Sequence, residues 1–134
     1  MSAKVPNTNV RLKRAYETPA ADDGARILVD RLWPRAVSKQ ALALDTWMKD
    51  IAPSTGLRRW FGHDPSRWHE FCRRYAAEVH EHQDLLDELR ARARKGRITL
   101  VFSARDEVHN DAVALRDFIL HGLADREDDK VQRK

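Results

Sequence analysis

Arg26-Ile27-Leu28-Val29-Asp30-Arg31-Leu32-Trp33-Pro34-Arg35 carries more information about the fold than any other stretch of this chain. Ile27-Leu28-Val29 is continuously apolar, as suits a strand covered on both faces. The strand reads from Arg26 to Leu32, and Pro34 stops it. Asp30, Arg31 and Arg35 then set one carboxylate and two guanidiniums around Trp33. A second strand reads from Ile98 to Phe102 and runs into the turn Ser103-Ala104-Arg105-Asp106. If the two strands are parallel neighbours, both end at one edge of the sheet, where open α/β sheets bind ligands. Asp30, Arg31, Trp33 and Arg35 would then lie beside Ser103, Arg105, Asp106 and His109.

The segments around these strands read mostly as helices. Ser38 is a cap for a helix reaching about Ile51, with Leu44, Trp47, Met48 and Ile51 as its apolar stripe. Pro53 ends it, and a short helical piece carries Leu57, Trp60 and Phe61. Asp64-Pro65 opens the next helix, with Trp68, Phe71, Cys72, Tyr75 and Val79 on one side. Leu85, Leu86, Leu89 and Ala93 mark another, closed by Gly96. Asp106 or a neighbour caps a last helix that buries Val108, Ala112, Leu115 and Ile119. Val10 to Tyr16 alternates as an exposed or edge strand does. The loop Glu17 to Gly24 is short for a crossover between adjacent parallel strands, which leaves the relation of the first two strands open. The expectation is an α/β fold: a small, mainly parallel sheet of about three strands covered by about five helices, in one domain over residues 9–122. Residues 1–8 and 124–134 are polar or charged and are expected to be flexible.

The chain has 134 residues, of which 42% are hydrophobic and 34% charged, enough for one real core. No apolar run is long enough to span a membrane, and residues 1–6 lack the apolar core of a signal peptide. A cytoplasmic location is the default expectation. The single Cys excludes an internal disulfide framework. A net charge of +4 permits anionic partners without identifying them. The basic cluster from Arg90 to Arg97 sits where a helix ends and complements its dipole. There is no His-Glu-x-x-His pair, no Gly-x-Ser-x-Gly elbow around Ser103, and no glycine-rich dinucleotide or phosphate loop. No metal or cofactor is expected.

Each candidate group has a functional and a structural reading. Arg31, Arg35 and Arg105 suit an anion gripped by paired hydrogen bonds. Asp30 and His109 are the candidate proton-transfer groups. Trp33 and Ser103 complete the binding set, and free backbone N–H groups at the start of the last helix would assist. Structurally, the same Asp and Arg residues fix the Trp33-Pro34 turn, Asp106 caps the helix in place of an anion, and His109 faces solvent. Strand alternation also puts Asp30 and Arg31 on opposite sides if the strand continues through them. The function expected is an anion-binding pocket, or a small enzyme acting on a phosphorylated or carboxylated metabolite or nucleotide. The alternatives are a nucleic-acid-binding or regulatory protein, for which the charge pattern is too interleaved with acids, and a non-catalytic interaction module.

Four motifs carry a family resemblance. They are Val29-Asp30-Arg31-Leu32-Trp33-Pro34-Arg35, Ala52-Pro53-Ser54-Thr55, Trp60-Phe61-Gly62-His63-Asp64-Pro65 with Arg67-Trp68, and Thr99-Leu100-Val101-Phe102-Ser103-Ala104-Arg105-Asp106 with His109-Asn110. Together they resemble the YeaO-like family of small bacterial proteins, a domain of unknown function. The resemblance implies an α/β fold and brings no established activity. More distant relatives carry a Cys after the last strand and a Cys-His-Arg further on. Phe102-Ser103 and Val108-His109-Asn110 stand in those regions here, which argues against a thiol mechanism. Ala36 stands where the family commonly has Gly, which is expected to stiffen the loop.

Overall fold

The computed structural model describes residues 4–123. Strands β1 (Val10–Arg14), β2 (Ala25–Leu28), β3 (Thr46–Trp47) and β4 (Ile98–Phe102) form one four-stranded sheet in the order β1-β4-β2-β3. Every neighbouring pair is parallel. The expected sheet thus gains a fourth strand, the two-residue β3. Strands β2 and β4 are the parallel neighbours that the sequence suggests, and β1 is an edge strand. Residues 15–24 return from β1 to β2 with β4 between them, a connection shorter than the dozen or so residues usual between parallel strands. Five α-helices accompany the sheet among the described residues: α1 (Lys39–Leu42), α2 (Thr55–Phe61), α3 (Trp68–His80), α4 (Gln83–Lys95) and α5 (Asp111–His121).

Alternation along the strands feeds two cores. Ile27, Val29, Ile98, Leu100 and Phe102 face the larger one, built with residues of α2 to α5. Leu28 and Val101 face a smaller one with Ala15 and Leu42, covered by Trp33, Val37, Leu44 and Trp47. Burying each large side chain stabilises by about 1.5–3 kcal/mol. The fully buried Tyr75 and Phe118 pack ring to ring, centroids 5.5 Å apart, between α3 and α5.

Two expectations are corrected. The helix from Ser38 to Ile51 stops at Leu42, although Ser38 does cap it, accepting from the Ala41 amide at 3.0 Å. Ala43 turns left-handed (φ 49°), and the chain then supplies β3. Asn110, not Asp106, caps α5, so Val108 is exposed ahead of the helix. Gly96 closes α4 as its C-cap, as expected, and does so in an extended conformation. At the N-terminus, the segment from residue 4 to residue 8 packs against the domain: Val5 is buried, and the Asn7 carbonyl accepts from Arg116 at 3.0 Å. Residues 1–3 and 124–134, expected to be flexible, lie outside the described residues. No helix among the described residues is long and apolar enough to cross a membrane.

Candidate functional site

Loops after β2 and β4, together with the segment leading through α2, enclose a cleft of about 770 Å³ at the carboxyl edge of the sheet. Asp30, Arg31, Trp33 and Arg35 line it from one side, and Ser103, Arg105 and His109 from the other. Strand β2 ends at Leu28, so the pleat no longer governs the next residues. Asp30 and Arg31 therefore both reach the cleft, against the expectation from alternation.

Asp30 ties the two loops together. Its Oδ2 accepts from the Ser103 amide and from Ser103 Oγ, each at 2.9 Å. The Ser103 hydroxyl is thus engaged within the protein. The Asp30 carbonyl accepts from the Trp47 indole at 2.8 Å. Trp33 donates to the Val37 carbonyl at 2.6 Å and meets Trp47 edge-on at 5.4 Å, which fixes it as a wall of the cleft. Past it, Ala36 adopts φ 61°. That left-handed geometry costs a non-glycine residue about 1–2 kcal/mol.

Arg31 is a strut. Its guanidinium donates to the Ala52 and Pro53 carbonyls at 3.2 and 3.3 Å. Ser54, next in that motif, caps α2 by accepting from the Leu57 amide at 3.1 Å, and donates through Oγ to Glu78 at 2.6 Å. Arg35 and Arg105 differ: both are exposed at the mouth of the cleft and have no hydrogen-bond or ion-pair partner among the described residues. Arg58, from α2, joins them in the same condition.

A further acid lining the cleft is Asp111, the first residue of α5. Its Oδ1 accepts from the Ala112 amide at 2.9 Å. Its carboxyl lies against that of Asp30. Two like charges this close favour a proton on one of the pair. Enclosure by protein atoms, and then the Asp30 charge, raise the Asp111 carboxyl well above the usual range. Beneath them the Tyr75 hydroxyl donates to the Ile51 carbonyl at 2.7 Å. Burial first, and then the Asp111 and Asp30 charges, hold that phenol well above its ordinary value.

His109 precedes α5 and does not lie in its first turn. Asp106 accepts from the amides of Val108 and His109, each at 2.9 Å, and meets His109 Nδ1 at 3.0 Å. The His109 amide leads the contacts that pull the Asp106 carboxyl down to about 2. Trp68 sits edge-on to the imidazole at 5.3 Å. Side chains of the protein itself therefore take the amides that sequence reasoning offered to an anion. Asp30 takes that of Ser103, Asp106 those of Val108 and His109, Asp111 that of Ala112, and Asn110 that of Val113.

Sequence reasoning missed Asp111 and Arg58. An acid directly after the cap Asn110 was the available signal for Asp111. Arg58 follows the buried Leu57 on a short amphipathic helix, and nothing in its spacing points to the cleft. No group of three or more His, Cys, Asp or Glu able to hold a metal ion occurs among the described residues. Cys72 is buried in the core, as expected.

The model of the inactive DUF488-N3 subclade matches residues 9–134 of this chain. The chain belongs to the YeaO-like DUF488 family. The uncharacterized protein YeaO of Escherichia coli (strain K12) is 41% identical over 111 residues, covering 83% of this chain and 96% of that protein. The uncharacterized protein Rv3073c of Mycobacterium tuberculosis (strain H37Rv) is 39% identical over 115 residues, covering 86% and 97%. No solved structure matches this chain at a significant level. The family motifs named above fall on the cleft and its supports: the Asp30 to Arg35 loop, the Ala52 and Pro53 carbonyls, and the Ser103 to Asn110 segment.

Proposed function

We propose that the cleft binds a small anionic ligand, a phosphorylated or carboxylated metabolite or nucleotide. The observation that carries this is the trio Arg35, Arg58 and Arg105, exposed around one mouth without a carboxylate partner among the described residues. Unpaired guanidiniums are suited to planar or tetrahedral oxyanions. Tyr16 and Leu32, two of the three exposed large hydrophobics among the described residues, line the same cleft, which suits a ligand with an apolar part. Binding is favoured over turnover because the matching subclade is described as inactive. A second reading, a reaction on that ligand with Asp30 and His109 moving protons, draws on the Asp106–His109 contact, which orients the imidazole as a base requires.

Thermal unfolding at low salt with phosphate, sulfate, citrate and nucleoside monophosphates tests the proposal. An anion at 100 times its Kd adds about 2.7 kcal/mol of stability, a shift of several degrees. Such a shift is expected with at least one anion and should vanish in the Arg35→Ala, Arg105→Ala double variant. A shift that persists in that variant, or no shift with any of these anions, overturns it. A nucleic-acid-binding role predicts instead a steeply salt-dependent affinity for DNA or RNA.

A further inference from the structure

Resting on that anion-binding reading, we infer that the ligand is bipolar: an anionic head at the guanidinium mouth, and an uncharged tail bearing hydroxyl or N–H groups that donate to the Asp30–Asp111 pair. The cleft has two chemically opposed ends. Its mouth carries the exposed Arg35, Arg58 and Arg105. Its floor carries the two acids above the fully buried Tyr75. Phe61 and Phe71 line the same cleft. Two acids at one end of the cleft oppose any second anionic group there.

The floor accepts donors. A carboxylate offers about four lone-pair positions. Asp30 uses two, both on Oδ2, for the Ser103 amide and hydroxyl. Asp111 uses one for the Ala112 amide. The remaining positions lie in a cleft large enough for far more than a phosphate ion. An alkyl tail would leave them unsatisfied, and sites built to hydrogen-bond a hydroxyl discriminate against analogues that lack it. A ligand charged at both ends is disfavoured by the floor, and a purely inorganic anion does not reach it. The class that fits is a phosphate monoester or monocarboxylate of a polyol or amide-bearing molecule.

Titration calorimetry at low salt with inorganic phosphate, ribose 5-phosphate and n-pentyl phosphate tests this. Ribose 5-phosphate is expected to bind the native protein at least tenfold tighter than pentyl phosphate. Asp111→Leu should bring the two within about twofold, whereas Asp111→Asn, which keeps an oxygen acceptor, should preserve most of the preference. Equal binding of the two esters to the native protein overturns the inference, as does a preference unchanged by Asp111→Leu. Should Asp111→Leu fail to fold, the preference in the native protein still decides. If neither these phosphates nor the anions of the thermal-unfolding test bind, the anion-binding reading falls. If inorganic and pentyl phosphate bind and ribose 5-phosphate binds no better, only the bipolar ligand falls.

Discussion

Asp111 sits where a carboxylate is favoured by one neighbour and opposed by another. The first turn of α5 attracts negative charge, but Asp30 already supplies one. The folded protein therefore keeps a proton that the unfolded chain releases near pH 3.8. Stability contributed by this group is intact below that value and declines as pH rises through the raised folded value. Asp111→Asn removes the decline. The variant should match the native protein below about pH 4 and exceed it at pH 7. Urea denaturation across that range measures the difference, and a variant weaker than the native protein at pH 7 contradicts a raised Asp111 pKa. Asp106 behaves oppositely, since its carboxyl is lowered to about 2 and favours the folded state until strong acid protonates it. The sequence displayed Asp30, Arg35, Arg105 and His109 as candidates because they interrupt or follow apolar runs. It hid Asp111 because an acid after a helix cap looks like ordinary helix chemistry.

At the scale of elements, the segment from Ser38 to Ile51 shows how periodicity can mislead. Leu44, Trp47, Met48 and Ile51 keep helical spacing, yet they serve two cores. Leu44 and Trp47 pack with the smaller cluster, and Met48 and Ile51 belong to the larger. A single helix face cannot reach both sides of a sheet, so the chain breaks at Ala43 and adds β3. Strands β2 and β4 were legible because burial on both faces leaves an unbroken apolar run. The cap at Ser38 and the Asp64-Pro65 start were legible because their chemistry is local. Arg31 was read as a ligand contact, and its hydrogen bonds to the Ala52 and Pro53 carbonyls give it a structural task as well. Arg31→Met keeps the stem and removes the donors. A loss of about 2 kcal/mol is expected, with faster hydrogen exchange in residues 52–57 as the local signature. Gly24 is the other sensitive point. It has φ 66°, and a Cβ there would lie 2.0 Å from the Arg97 carbonyl oxygen. Gly24→Ala should cost about 3 kcal/mol or more, read as a lowered denaturation midpoint, because backbone must move to admit it.

Across the whole molecule, charge is divided between the two edges of the sheet. At the amino edge, Asp23 and Arg26 are buried and paired at 2.7 Å, and Lys13 joins them at 3.0 Å. The Arg26 guanidinium also donates to the Leu42 carbonyl at 2.8 and 3.0 Å. Burial opposes the Asp23 charge, but hydrogen bonds from the Ala20 amide, Lys13 and Arg26 prevail and lower its pKa. Its contribution is present above pH 3.8 and lost as pH falls through the lowered folded value. Asp23→Ala strands a buried guanidinium and should cost about 3–5 kcal/mol, measurable by urea denaturation at pH 7. That edge holds the fold together with satisfied ions, whereas the carboxyl edge leaves three guanidiniums unmatched among the described residues. Little in the sequence signals this division: Asp23 lies in a stretch rich in Asp, Gly and Pro that reads as an exposed loop.

The order β1-β4-β2-β3 also fixes a sequence of events during synthesis. The central partner of both β1 and β2 is the last strand to leave the ribosome, since Val10 and Ala25 each pair with Ile98. Until then β1 has no partner, and β2 has only the two residues of β3. Contacts this distant along the chain slow folding and prolong the exposure of bare strand edges. The nascent chain therefore exposes bare strand edges through most of its translation, and its need for chaperones should end once β4 and α5, which completes the larger core, have emerged.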